Sequence, residues 1–217
     1  MSTAPPDPSP ARGRVIVLNG PSVAGKSSIQ RALQERFLEP HLAMGIDSML
    51  VGMMPARYFT GAAADRHEVL WGEASSDGSG APLFTLRMGP KGRRLVSGMH
   101  HAVAAFAERG SSVIVDYILY EPEWLDELSE RLRPLVAYFV GVRIPLEILE
   151  ARERQRGTSP AGHARSHYHQ VHAHGIYDLE VDSSTASAEA CAATIADYVD
   201  SHPHPRAFEL LRARAAR

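Results

Sequence analysis

The chain has 217 residues, 44% hydrophobic and 22% charged, with 23 Lys+Arg against 25 Asp+Glu. That length favours one domain with a sizeable core, and a net charge of -2 excludes an all-over basic surface for nucleic acid. The longest apolar runs, VIVL, VIVDYIL and LVAYFVGV, fall far short of the ~20 residues of a spanning helix, and the single cysteine, Cys191, cannot form a disulfide within the chain. A cytoplasmic protein without membrane or nucleic-acid partners is expected, with homo-oligomers left open.

The opening MSTAPPDPSPARGR is Pro-rich and polar, so residues 1–13 read as a disordered leader. Short β-branched runs then alternate with helical patterns, the mark of an α/β fold around a parallel sheet buried on both faces. Strands are expected over Arg14 to Asn19, Leu42 to Ile46, Val113 to Tyr117, Leu135 to Val142 and about Tyr177 to Val181. Helices are expected from Lys26 to about Phe37, from Arg93 to Arg109, from about Pro122 to before Pro134, from Pro145 to about Gln155, and from about Ser187 to Val199. Gly110 suits a helix stop, and Pro122 suits a first turn. Between Val51 and Gly92 the pattern is hard to read, apart from a hairpin around Leu83 to Met88. The tail His204 to Arg217 is arginine-rich and either forms one more amphipathic helix, whose arginines suit a partner face, or, the favoured reading, stays a solvated end.

Gly20-Pro21-Ser22-Val23-Ala24-Gly25-Lys26-Ser27 matches G-x-x-x-x-G-K-[ST], between a buried strand and a helix that continues through Ser28. Glycines let backbone N–H groups turn inward around phosphate oxygens, and the helix N-terminus adds its positive end. Lys26 is expected to reach the β and γ phosphates and Ser27 to ligate Mg²⁺. Lys26 and Lys91 are the only lysines. An N-K-x-D base-reading motif is therefore absent, which speaks against a GTPase. The strand VIVDY offers one acidic residue, Asp116, rather than the paired acids of a motor ATPase. Compact size favours a small-molecule kinase.

Asp47 follows the second strand in G-I-D-S, where it either accepts a proton from an attacking hydroxyl or caps a helix starting at Ser48. Asp116, ending an apolar strand, suits the waters around Mg²⁺. Arg152 and Arg156 share a helix face before GTSPAG, either as lid cations or as part of a solvated helix paired through Glu150 and Glu153. His163, His167, His169, His172 and His174 read as a wet helix face rather than a zinc site. Met44, Met49, Met53, Met54, Phe59, Trp71, Phe84, Met88 and Met99 can serve a core or a pocket for a partly aromatic small molecule.

VIVLNGPSVAGKSSI, EPHLAMGIDSML, SVIVDYIL, FVGVRIPLEILEARERQRG and VHAHGIYDLEVDSS, in this order, resemble the chloramphenicol phosphotransferase family from about Arg14 to Val199. The resemblance implies a P-loop nucleotide-kinase-like three-layer fold with a central five-stranded parallel sheet. It implies ATP-dependent phosphorylation of a primary hydroxyl on chloramphenicol, with Asp47 as general base and Arg152 and Arg156 as lid arginines facing ATP. The family's further lid cation falls at Ser159 here, so Arg154 or Arg165 would substitute. The expected partition is a kinase domain over 14–201, with a lid at about 152–166, and a tail over 202–217. Two other readings stay open: a kinase for a different hydroxyl substrate, such as a sugar nucleotide or another antibiotic, and a non-catalytic ATP-binding regulatory module.

Overall fold

The computed structural model describes residues 11–216. Five parallel strands form the central sheet in the order β2-β5-β1-β6-β7, from β1 (Val15–Asn19), β2 (His41–Gly45), β5 (Ser112–Tyr117), β6 (Ala137–Arg143) and β7 (Leu179–Asp182). Register Leu18↔Asp116 and Gly45↔Asp116 aligns the carboxyl ends of β1, β5 and β2 along one edge. Alternation splits the core. Val15, Val17, Val113, Val115 and Phe139 face one layer, while Ile16, Leu18, Ile114, Tyr138 and Val140 face the other. The strands read as unbroken apolar runs because both faces are covered.

One layer holds α2 (Ile46–Leu50), α5 (Pro90–Glu108), α6 (Pro122–Arg131) and α10 (Ala207–Ala215); the other holds α1 (Lys26–Arg36), α7 (Leu146–Arg156) and α9 (Ala188–Ser201). Pro90 and Pro122 stand in the first turns of α5 and α6, Gly110 follows α5 at φ 94°, and the Ser187 hydroxyl caps α9 through the Ala190 N–H. The stretch between β2 and α5 folds as α3 (Arg57–Thr60), α4 (Ala63–Val69) and an antiparallel hairpin of β3 (Leu70–Ser76) and β4 (Pro82–Met88). The hairpin was expected from its second strand alone. Its first strand, LWGEASS, lacks the β-branched alternation that announces one.

Two expectations are corrected here. The tail is not a solvated end: α10 buries Ala207, Phe208 and Leu211, and Phe208 stacks on Phe139 at 4.9 Å, so the domain runs past residue 201. The histidine segment, α8 (His163–His167) and a 3₁₀ turn (Gln170–His172), is not a wet face, since His163 and His167 are buried. Residues 1–10 of the expected leader lie outside the described residues. Gly13 donates its N–H to the Ala107 carbonyl and Arg12 reaches the Pro134 carbonyl, so the last leader residues are tied to the domain.

Candidate active site

Gly25 takes φ 90° and caps α1, so the chain turns from β1 through residues 20–25 into a helix N-terminus without a Cβ penalty. Val23 also sits in the left-handed region at φ 56°, an unusual place for a β-branched residue, within the same loop. Lys26 is 4% exposed; its ammonium donates to the Pro21 carbonyl at 2.9 Å and lies 3.5 Å from Asp116 Oδ1. The Ser27 hydroxyl donates to the other Asp116 oxygen at 2.5 Å. Ser28 and Ile29 N–H groups bond the Gly25 carbonyl and start the helix. A cation, a hydroxyl and a carboxylate thus converge at the mouth of the loop.

Asp47 does not cap a helix at Ser48. The N-cap of α2 is Gly45, which leaves Asp47 inside the first turn with its carboxylate exposed. It lines the same cavity of about 550 Å³ as Ser22, Val23, Gly25, Lys26, Ser27, Ser28, Asp116, Arg152, Arg156 and Ser183. Gly20, Pro21 and Ala24 build the loop behind that lining. Arg152 is held by the Ser183 carbonyl at 2.6 Å, and its guanidinium lies 3.9 Å from where a Cβ on Gly25 would stand. Arg156 is exposed and lines the same cavity. Glu153 is no solvated partner for them. It is 5% exposed and accepts the N–H groups of Gly162 and Ala164, which fastens α7 to the start of α8. Arg165 pairs with Glu150 and Asp77, and Arg154 is exposed and outside the lining of this cavity.

Sequence reasoning missed two residues here. Tyr120 leaves the end of β5, four residues after Asp116, and its hydroxyl is pushed well above the usual tyrosine range by burial and by the charges of Asp47 and Asp116. Its place beyond the strand end was the one available signal. His167 packs edge-on against Tyr120 at 5.0 Å and accepts the Ser22 backbone N–H at 3.0 Å. Beyond this pair opens a second cavity of about 240 Å³, walled by Trp71, Thr85, Arg87, Met88, Arg93, Glu121 and Trp124. The hairpin forms one side of it and is pinned to the segment between α7 and α8. Phe84 donates its N–H to the Gly162 carbonyl, and a Cβ at Gly162 would collide with the Pro82 carbonyl at 2.1 Å.

A phosphate loop at the carboxyl edge of a five-stranded parallel sheet, faced by two carboxylates and two arginines, defines a P-loop phosphotransferase that acts on a hydroxyl. The family model described as chloramphenicol phosphotransferase-like protein matches residues 13–200, and the chain belongs to that family. Two proteins of Mycobacterium tuberculosis, from strains CDC 1551 / Oshkosh and ATCC 25618 / H37Rv, are named as candidate O-phosphotransferases. Each is 29% identical over 202 residues, spanning 93% of this chain and 89% of its own. Among solved structures, the M. tuberculosis APS kinase in complex with AMPPNP and APS aligns at a TM-score of 0.57 and 16% identity, over 88% of this chain and 99% of that one. Shikimate kinase from Acinetobacter baumannii, in complex with shikimate, aligns at 0.57 and 12%, over 88% and 96%. The tunicamycin resistance protein of Deinococcus radiodurans aligns at 0.55 and 17%, over 87% and 96%. At these identities the structures share the fold with this chain.

Proposed function

We propose that this protein transfers the γ-phosphoryl group of ATP to a hydroxyl of a small molecule, with chloramphenicol or a related antibiotic as the acceptor, in the cytoplasm. One observation carries the reading: a single cavity collects the phosphate loop, Asp47, Asp116, Arg152 and Arg156. The backbone N–H groups of residues 25–27 hold the inner phosphates at the positive end of α1, and Lys26 bridges toward the γ phosphate. Asp47 takes the proton of the attacking hydroxyl, its exposed carboxylate serving as the general base. Arg152 and Arg156 neutralise charge that builds on the transferring group. The Ser27 hydroxyl and Asp116 carboxylate are hard oxygen donors in contact, the donor type that Mg²⁺ takes. Bound there, Mg²⁺ would draw charge from the β and γ phosphates.

The acceptor is placed in the second cavity, whose indole and phenol rings (Trp71, Trp124 and Tyr120) suit a partly aromatic molecule. The test is incubation with γ-labelled ATP and an acceptor panel that includes chloramphenicol, sugar nucleotides and other hydroxylated antibiotics. Label on chloramphenicol is the expected result. Label on another compound replaces the acceptor and keeps the reaction; ATP binding with no labelled product from any acceptor favours a regulatory ATP-binding module instead.

A further inference from the structure

His167 belongs to α8, outside every motif that carries the nucleotide chemistry, yet its Nε2 accepts the backbone N–H of Ser22 at 3.0 Å. With Nε2 accepting, the ring proton resides on Nδ1, which faces Ser166 Oγ at 3.4 Å. The imidazole is 3% exposed and wedged between Tyr120 and His163, whose ring centroids lie 5.0 and 4.8 Å away. Burial, with the nearby His163 and Lys26, holds its pKa well below the ordinary histidine range, so the ring stays a neutral acceptor. The imidazole lines the second cavity, and Ser22, whose N–H it accepts, lines the first.

Ser22 is the third residue of the loop and precedes the left-handed Val23. The inner phosphates are served from the other end, by the α1 N-terminus, which His167 does not touch. We propose that His167 is a positioning residue that braces Ser22 and so aligns the terminal phosphate, rather than the inner ones, toward the acceptor cavity. This rests on the loop being a nucleotide site.

Titration calorimetry with Mg²⁺-ADP and Mg²⁺-AMPPNP tests it without knowledge of the acceptor. His167→Phe keeps the ring volume and removes the acceptor; it should bind ADP within about twofold of wild type and AMPPNP at least fivefold more weakly. His167→Gln, whose Oε1 can accept the Ser22 N–H, should recover most of that loss. Equal losses for both nucleotides, no loss for either, or tighter AMPPNP binding by His167→Phe would overturn the brace. Melting temperatures report on folding, and His167→Leu carries the same test if the Phe variant does not fold. Wild-type protein that binds neither nucleotide sinks the nucleotide reading, and the brace with it.

Discussion

At Lys26 the chain uses one of its two lysines where all but two of its cations are arginines. The structure gives a physical reason. The ammonium sits almost wholly buried beneath the loop, fitted between the Pro21 carbonyl and Asp116. A compact ammonium on a flexible stem suits such a buried point-charge position better than a planar guanidinium, whose fork carries five donors to satisfy. Lys26→Ala should weaken nucleotide binding at least tenfold by calorimetry, and unchanged affinity would count against the loop as the phosphate site. Asp47 makes a contrasting case, because its carboxylate stays exposed in the cavity and does not cap α2. Asp47→Asn keeps the shape and removes the base. General-base catalysis contributes about 10²- to 10⁴-fold, so turnover should fall within that range while ATP affinity stays within about twofold. Retained turnover would reduce Asp47 to a helix-start residue.

Between elements, the decisive contact is made by Glu153. Each carboxylate oxygen takes one N–H, from Gly162 and from Ala164, and this ties α7, which carries Arg152 and Arg156, to α8, which carries His167. The hairpin joins the same body through Phe84 to Gly162 and Asp77 to Arg165. The walls of both cavities are therefore mechanically linked through residues 153–165. Glu153→Gln retains one acceptor and turns the other into a donor that faces an N–H. A buried N–H left unpaired costs about 1–3 kcal/mol, so the variant should melt several degrees lower and lose amide-exchange protection around 157–164. Protection equal to wild type would break the proposed linkage. None of this was legible in the sequence. The i, i+4 spacing of Arg152 and Arg156 before the Gly-bounded GTSPAG left lid cations and a solvated, paired helix both open, and periodicity cannot tell a glutamate that pairs with its own helix from one that reaches nine residues ahead. The sheet strands were legible to within two residues because burial on both faces leaves continuous apolar runs. The hairpin and the short helices before it were not, since half-buried strands pinned by contacts distant in sequence carry weak local signals.

At the scale of the whole molecule, four histidines, His41, His100, His163 and His167, are buried, and His172 and His174 are half-buried. Tyr177 Oη receives Asn19 Nδ2 at 2.8 Å and meets His172 Nδ1 at 2.6 Å and His174 Nε2 at 3.1 Å, which knits the 171–177 segment beneath the carboxyl end of β1. The sequence showed a cluster of histidines with no cysteine or H-E-x-x-H beside them, and composition alone assigns such a cluster to solvent. What composition cannot register is that tyrosines supply partners inside. Burial, followed by the charge of Arg143, lowers His172 to about 3; burial, followed by Arg214, lowers His174 to about 4. His41, His100, His163 and His167 are lowered as well, with burial as the largest cause. In the unfolded chain each returns to an ordinary value near 6.5. Between the two values the unfolded state binds more protons, so stability rises with pH across this window, is complete above about 6.5 and is lost as pH falls below it. One such proton gives a slope of at most about 1.4 kcal/mol per pH unit. Several histidines acting together should make the urea midpoint flat from pH 8 to 7 and then fall, between pH 6 and 5, more steeply than a single proton allows. Replacing His172 and His174 together with Asn should flatten that fall by the share of two protons. A midpoint independent of pH from 8 to 5 would mean that the histidines titrate alike in both states, and that the interior described here admits their charge.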